Sequence, residues 1–227
     1  MKKLLRYCCY GLSALLLCGP GPEATMTSSA RIIPLPGPVT TGEASLESLL
    51  QQRRSVREYR DAALDLPAIG QLLWAAQGIT DPRGLRTAPS AGALYPLELY
   101  VVAGNIEGLT PGVYHYHPDR HQLQQTLPGD QRHLLARAAH GQSWVRTAAA
   151  VVVITAVYDR TTGKYADRGV RYVHMEVGHA AQNLFLQAEA LGLATVVVGA
   201  FEDDAVAALL GLPGDAQPLM LLPVAAK

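Results

Sequence analysis

The longest periodic stretch of apolar residues runs from about residue 167 to residue 191. Seven apolar positions recur there at helical spacing: Val170, Val173, Val177, Ala181, Leu184, Ala188 and Leu191. Gly192 follows directly and is a typical helix stop. The pattern predicts one long helix that crosses the core.

An unbroken apolar run containing VVVITAV lies within residues 148–158. Such a run is typical of a strand covered on both faces, so we expect the central strand here. β-Branched and aromatic residues predict further strands at 97–103, 113–117, 195–198 and 219–224. Shorter helices are predicted at 46–52, 65–78, 129–140 and 203–210. Because strands and helices interleave, the expected fold is α+β or α/β, with a mixed sheet flanked by helices.

Composition supports one main domain and excludes some partners. Apolar residues make up 49% of the 227 positions, which is enough for one substantial core. Nineteen basic residues balance nineteen acidic ones, so the whole chain has no electrostatic attraction to nucleic acid or to an anionic membrane. No GxGxxG motif follows a predicted strand, which argues against a Rossmann dinucleotide site.

The first thirty residues differ from the rest. Three basic residues precede an apolar stretch at 8–18, which is too short to span a bilayer but suits the core of a signal peptide. We expect residues 1–30 to be an export leader, which places the protein in the periplasm or on a membrane facing outside the cytoplasm. A short buried helix is the alternative. The leader ends either in lipidation of Cys18 or in cleavage after Ala24 or Ala30.

All three cysteines lie in this leader, at positions 8, 9 and 18. The body therefore has no disulfide, thiol nucleophile or cysteine metal site. Residues 31–45, rich in proline, glycine and hydroxyl residues, are expected to form a flexible spacer or an arm that wraps the body. The domain proper is expected to occupy residues 46–227.

The basic string RRSVR at 53–57 is the first candidate site. If it is extended, Arg53, Ser55 and Arg57 share one face, and if it is helical, the two arginines meet one turn apart. Either geometry forms a small anion site, because guanidinium groups make strong charge-assisted bonds to phosphate or to a polar ring edge. A solvated basic helix end is the alternative.

Histidines raise the question of a metal. His115 and His117 share one face of a predicted strand, and His121 lies just beyond it. No carboxylate accompanies them at ligand spacing in the sequence. We predict no metal site and histidines that face solvent.

Several long motifs occur in a characteristic order. RRSVR is followed by PSAGALYPLELYVV from residue 89, by VYHYHP, by KYADRGVRYVHMEVGHAAQN from residue 164 and by GAFEDD from residue 199. In sequence and order these segments resemble the nitroreductase superfamily, and most closely its SagB-type dehydrogenase branch, which contains azoline oxidases. The resemblance covers residues 46–224.

The resemblance implies an α+β homodimer with FMN at its interface. Three segments of this chain match the segments that bind FMN in that family. Four residues of the first segment would contact the phosphate, the ribityl chain and the pyrimidine edge of FMN: Arg53, Arg54, Ser55 and Arg57. Four residues of the second segment, a loop, would pack on the flavin of the partner subunit: Pro89, Ser90, Ala91 and Gly92. Gly199 and Ala200 would lie beside N5, where hydride arrives.

The end of the chain departs from the family pattern. Family members usually continue past the last strand with glycine and basic residues that help hold the phosphate, whereas this sequence stops at Lys227. Lys227 is the candidate to take their place.

The resemblance also implies a catalytic pair. In azoline oxidases of this branch a Lys-Tyr pair is tied to catalysis, and Lys164 and Tyr165 match it in a predicted polar loop before the long helix. A lysine beside a flavin can take a proton while the tyrosine positions the substrate. The alternative is an exposed loop lysine and a packing tyrosine.

The function expected from the resemblance is an FMN-dependent oxidoreductase. A nicotinamide that binds transiently, NAD(P)H, or the organic substrate itself would reduce the flavin at N5, and a small-molecule acceptor would reoxidise it. The alternative is a non-catalytic flavin-binding or interaction protein outside the cytoplasm.

Overall fold

A computed structural model describes residues 31–227, which form seven strands, seven α-helices and a short 3-10 helix at Ala91–Ala93. The strands are β1 (Ile32–Pro34), β2 (Leu97–Ala103), β3 (Gly112–His117), β4 (Gln122–Pro128), β5 (Ala150–Val157), β6 (Leu193–Thr195) and β7 (Ala216–Ala226). The helices are α1 (Leu46–Gln52), α2 (Leu66–Gln77), α3 (Arg132–Ala138), α4 (Ser143–Thr147), α5 (Asp159–Tyr165), α6 (Arg168–Ala190) and α7 (Asp203–Leu210). The expected export leader, with Cys18, lies outside the described residues.

One sheet contains all seven strands in the order β1-β4-β3-β2-β5-β7-β6. Every neighbouring pair of these strands is antiparallel, so the expectation of a mixed sheet is wrong, while the α+β class is confirmed. The connections between β2 and β3 (residues 104–111) and between β3 and β4 (residues 118–121) are too short for a crossover, so these neighbouring strands run in opposite directions.

The sheet is covered on both faces. On one face α2 and α6 pack against β2 and β5, and on the other α3, α4 and α7 pack against the same strands. Ala150 to Ala156 of β5 are buried, as its unbroken apolar run predicts. Strand β2 lies in the middle of the sheet, and β5 is its neighbour, one place from the middle.

The long helix α6 matches its prediction to within a residue at each end. Val173, Val177, Leu184 and Ala188 of the predicted stripe are buried, whereas Val170 near its start is exposed. None of the helices within residues 31–227 is both long and apolar enough to cross a bilayer.

Residues 31–45 contact the body of the domain at two places. Strand β1 pairs with β4 at the edge of the sheet. Further along, the backbone N–H of Val39 donates to Gln71 Oε1 and the Gln71 amide donates back to the Val39 carbonyl, each over 2.9 Å. These contacts attach β1 to the edge of the sheet and Val39 to α2.

Candidate active site

The residues proposed as a site lie in two groups at opposite ends of β5. Lys164 and Tyr165 follow the end of β5, and residues 89–92 precede β2, whose first residue, Leu97, pairs with Ala156. Residues 53–57 lie at the other end, where Val224 pairs with both Ala150 and Thr195. Strand β5 is roughly 23 Å long at about 3.3 Å per residue, which separates Lys164 and Tyr165 from residues 53–57. The loop lies nearer, because the Asn183 amide of α6 donates to the Thr87 carbonyl, two positions from Phe185, which Arg53 contacts.

The first group, which we call the arginine half-site, consists of residues 53–57 at that end of β5 together with Gly199 and Ala200, which follow Val198 nearer the middle of the strand, where Leu221 pairs with Val153. The segment is extended after α1 ends, and the Val56 N–H donates to the Thr195 carbonyl over 2.9 Å. Extension makes the alternative of a helical RRSVR wrong. The segment is thus anchored to β6 by its backbone, which leaves Arg54, Ser55 and Arg57 exposed.

The guanidinium groups of this half-site rest on aromatic rings. The guanidinium carbon of Arg53 lies 5.2 Å from the ring centre of Phe185 on α6, and that of Arg57 lies 5.4 Å from the ring centre of Trp144 on α4. Arg54 donates to the carbonyls of Gln51 and Arg53. Within residues 31–227, none of these three arginines forms an ion pair with an acidic side chain. Their positive charges are therefore available to an anion.

Gly199 and Ala200 lie beside the start of α4, the helix whose Trp144 contacts Arg57. Val198 bridges to Leu221 of β7, and the Gln142 amide donates to the Ala200 carbonyl over 3.0 Å. Gly199 is exposed, and a side-chain carbon added there would meet no atom within 4 Å. The indole N–H of Trp144 is buried and has no hydrogen-bond partner among the described residues. The surface at Gly199 is therefore open, whereas the unused donor of Trp144 is buried beneath Arg57.

Lys227 forms an ion pair in the single chain. Its ammonium group contacts both carboxylate oxygens of Glu189 at 2.7 Å, and its backbone carbonyl accepts from Arg60. Lys227 thus joins the end of the chain to α6. In the single chain this charge is paired with Glu189, and a role for Lys227 at the phosphate stays a prediction.

The second group, which we call the loop half-site, consists of residues 89–92 with Lys164 and Tyr165. A side-chain carbon placed on Gly92 would lie 2.8 Å from the Tyr165 hydroxyl and 3.0 Å from Lys164 Nζ. Gly92 also has a φ of 65°, which favours glycine. Contrary to expectation, the pair ends a helix, α5, and does not lie in a loop. Lys164 is exposed in the single chain, and Tyr165 is half-buried against the edge of Tyr172.

Tyr95 holds the loop half-site in shape. Its N–H donates to Ser90 Oγ over 2.9 Å, its hydroxyl accepts from the Arg86 N–H, and its carbonyl accepts from Arg160. The guanidinium of Arg86 lies over its ring at 4.6 Å. Tyr95 has a φ of 47°, a strained value that these contacts maintain.

A charged network that the sequence does not reveal supports α5. Glu98 of β2 contacts Arg160 at 2.6 Å and His115 at 2.8 Å. Burial by itself raises the pKa of Glu98, but the hydrogen bond from His115 and the charge of Arg160 together hold it below its ordinary value. The prediction that histidines face solvent is wrong, since His115 stacks on Tyr100, and His117 and His121 also form hydrogen bonds. The carboxylate comes from a neighbouring strand, which sequence spacing alone could not indicate.

Sequence reasoning also missed Glu176, a buried acid on α6. Its side chain is 2% exposed, and Oε1 has no hydrogen-bond partner among the described residues. Burial raises its pKa to about 7, although the Ser90 hydroxyl and the Arg86 charge act in the opposite direction. Among residues 31–227, no cluster of three or more His, Cys, Asp or Glu side chains could hold a metal ion.

Comparison with known proteins gives a consistent family. The sequence model of the nitroreductase family matches residues 50–226. A provisionally named nitroreductase of Methanocaldococcus jannaschii is 49% identical over 82% of this chain and 92% of its own length. The microcin B17-processing protein McbC of Escherichia coli is 31% identical over 66% of this chain, and the match covers 57% of McbC.

A solved structure agrees with the sequence relatives. It comes from a provisionally named nitroreductase of Ralstonia eutropha and superposes with a TM-score of 0.76 at 29% identity. The match covers 87% of this chain and 90% of that one. The resemblance that the ordered motifs predict, including the SagB-type branch to which McbC belongs, is thereby confirmed.

Proposed function

Because the chain belongs to the nitroreductase family and is therefore an oxidoreductase of that type, we propose that it uses FMN to pass hydride between two small organic molecules. The donor is NAD(P)H or the organic substrate itself. The family match supports the reaction class, and the arrangement of the two half-sites supports the cofactor and its place.

The observation that carries the proposal is the division of the site between opposite ends of β5. The arginine half-site has cations without acidic partners and an open glycine surface, and the acid–base side chains next to Ala200, those of Glu202 and His140, pair with each other at 3.6 Å. In the loop half-site Lys164 and Tyr165 lie together, and the nearby Arg86 and Arg160 are bound to Gln77 and Glu98. A homodimer related by a twofold axis would place the arginine half-site of one subunit against the loop half-site of its partner, and would complete two identical sites.

The arginine half-site fits the anionic end and the polar ring edge of FMN. Arg53, Arg54 and Ser55 would bind the phosphate and the ribityl chain, because charge-assisted donors without acidic partners are available there. Arg57 would bind the pyrimidine edge, since a fixed cation stabilises the charge that reduction adds to that edge. FMN supplies the two-electron chemistry by accepting and returning hydride at N5.

The loop half-site would position the substrate and handle its proton. Pro89 to Gly92 carry small side chains, so their backbone can approach a flat ring closely. The Lys164 amine would take a proton from the substrate or return one to it, while the Tyr165 hydroxyl holds the reacting group in place. A partner subunit over Lys164 would exclude water from this exchange.

The test is to reconstitute the purified protein with FMN and to record its visible spectrum after removal of free cofactor. We expect one FMN per chain and bleaching of the yellow colour on addition of a hydride donor. A protein that retains no FMN would overturn the proposed cofactor. Lys164→Ala and Tyr165→Phe then separate an enzyme from a flavin-binding protein, because only an enzyme that uses them keeps FMN and loses turnover.

We also propose that the reaction takes place outside the cytoplasm. The basic start and the apolar stretch of residues 1–30 support export. Fractionation of expressing cells tests this proposal, with a chain that lacks residues 1–30 as the control. Equal amounts of both forms in the cytoplasm would contradict it.

A further inference from the structure

Arg160 connects α5 to the loop half-site and has no part in the reaction as described so far. Its Nη1 atom lies 2.6 Å from Glu98 Oε1 and donates to the Tyr95 carbonyl over 3.1 Å. Arg160 belongs to α5, Glu98 to β2, and Tyr95 to the loop that precedes β2. One guanidinium group therefore joins three separate segments, and we call this contact the Arg160 bridge.

The Arg160 bridge lies where the backbone stops joining the loop to the chain after β5. The last backbone hydrogen bond between them runs from the Val157 N–H to the Pro96 carbonyl over 2.9 Å. Beyond it, among the described residues, the bond from Arg160 to Tyr95 is the one hydrogen bond between residues 89–95 and α5. The polar part of the contact between the loop and α5 thus depends on this side chain.

Both segments carry residues of the proposed reaction. On α5, Lys164 lies four residues after Arg160, one turn along the same face of the helix, and Tyr165 follows it. In the loop, Gly92 lies three residues before Tyr95. A side-chain carbon on Gly92 would stand 2.8 Å from the Tyr165 hydroxyl and 3.0 Å from Lys164 Nζ. A change in the spacing between loop and helix would therefore alter the surroundings of both proposed acid–base side chains.

Glu98 is fixed in position from its other side. Its Oε2 atom lies 2.8 Å from Nε2 of His115, and the His115 ring stacks on Tyr100 with 4.7 Å between the ring centres. Burial by itself raises the pKa of Glu98, but the hydrogen bond from His115 and the charge of Arg160 hold that pKa below its ordinary value. The carboxylate is therefore charged at neutral pH and holds the guanidinium by a charge-assisted bond.

We propose that Glu98 and Arg160 are positioning residues for the proposed reaction: the Glu98 carboxylate orients the Arg160 guanidinium, which sets the spacing between the loop and the Lys164–Tyr165 pair. Proton transfer needs its groups within hydrogen-bond reach, and a displacement of about 1 Å can cost about a hundredfold in rate. The role in turnover rests on the proposed function. The bridge itself does not, because its effect on the loop and on α5 can be measured before FMN is added.

The first experiment is hydrogen exchange, followed by mass spectrometry, on the purified protein without added FMN. In Arg160→Gln and in Glu98→Gln we expect faster exchange of the backbone N–H groups of residues 90–95 and 159–165 together, because both segments lose the contact that joins them. Exchange at residues 53–57 should stay unchanged.

Arg168→Gln is the matched control for this experiment. Arg168 is an exposed arginine on the next helix and has no ion pair among the described residues, so the variant should exchange like the wild type. Unchanged exchange of the loop in Arg160→Gln would overturn the bridge. Faster exchange throughout the sheet would overturn the positioning role, since the bridge would then only stabilise the fold.

The second experiment measures turnover of the FMN-loaded protein with NADPH and a quinone, which takes up a proton together with the hydride. In Arg160→Gln and Glu98→Gln we expect kcat to fall about tenfold, because the acid–base pair is displaced. The Kd for FMN should stay unchanged, since residues 53–57 lie at the other end of β5. The double variant should lose no more than either single variant, because the two residues act as one unit. Arg160→Lys keeps the charge and should recover part of the loss.

Equal kcat in Arg160→Gln and Arg168→Gln would contradict the positioning role. Losses that multiply in the double variant would show that Glu98 does not act through Arg160. A wild-type protein without FMN or without turnover would overturn the proposed function, and the exchange experiment would still decide whether the bridge holds the loop.

Discussion

Gly92 and Tyr165 lie so close that a methyl group on Gly92 would stand 2.8 Å from the Tyr165 hydroxyl. The two residues are distant in sequence, and each lies in a segment that the family resemblance assigns to the site. Their contact joins the loop before β2 to the helix after β5.

Gly92→Ala should therefore impair turnover as well as stability. Alanine at a positive φ costs about 1 kcal/mol, and the new methyl group would also displace Tyr165 and Lys164. Gly108→Ala is the matched control, since Gly108 has a φ of 76° but open space around it. Thermal unfolding should show similar losses for both variants, whereas turnover should fall about tenfold or more only in Gly92→Ala. Equal turnover in the two variants would refute the importance of this contact.

Arg57→Ala should weaken FMN binding. A hydrogen bond to a charged group contributes about 1.5–3 kcal/mol, so the Kd should rise roughly 10- to 100-fold by fluorescence titration. Arg83→Ala is the control, because Arg83 is exposed and pairs only with its neighbour Asp81. Unchanged affinity in Arg57→Ala would remove this residue from the proposed site.

At an FMN concentration that leaves Arg57→Ala largely without cofactor, Arg57→Ala and Lys164→Ala should complement each other if the site is shared between subunits. In a mixed dimer of Arg57→Ala and Lys164→Ala, one site carries both changes and the other carries neither. Random pairing should restore about a quarter of wild-type turnover, because half of the dimers are mixed and each has one intact site. Co-expression with two different tags allows the mixed dimer to be isolated and assayed. No recovery would place both residues in a site within one chain.

Lys227→Ala should reduce the free energy of unfolding by more than it reduces the free energy of FMN binding. It leaves the Glu189 carboxylate, whose side chain is 11% exposed, without its partner, at a cost of about 1 kcal/mol. Lys227→Arg should retain the pair. Denaturant unfolding measures the first effect and FMN titration the second. A loss of affinity as large as that of Arg57→Ala would instead show that Lys227 reaches the phosphate.

Glu176→Gln should change how stability depends on pH. Because burial raises the pKa of Glu176 from 4.5 to about 7, folding favours its neutral form. The wild type should be most stable, relative to this variant, below about pH 4.5, and should lose that advantage as pH rises to about 7. Over this pH range the difference in the free energy of unfolding between the two proteins should change by about 3 kcal/mol at most. Denaturant unfolding at several pH values measures it, and parallel curves for the two proteins would contradict the raised pKa.

Much of this protein could be predicted from its sequence because the responsible signals are local. The periodicity of α6 and the unbroken apolar run of β5 depend on neighbouring residues, and both elements occur where they were expected. The ordered motifs were sufficient for the family. Lys164 and Tyr165 were identified as a pair by their motif, although their helix, α5, was expected to be a loop.

Tertiary structure decided the relationships between residues that are distant along the chain. Only the folded sheet shows that Lys227 is paired with Glu189, that Glu98 binds His115 and Arg160, and that Glu176 is buried. Only the register of β5 shows that the two half-sites lie at its opposite ends. Local composition determines which elements form, whereas charge pairing and burial depend on which elements pack together, and that is settled when the whole chain folds.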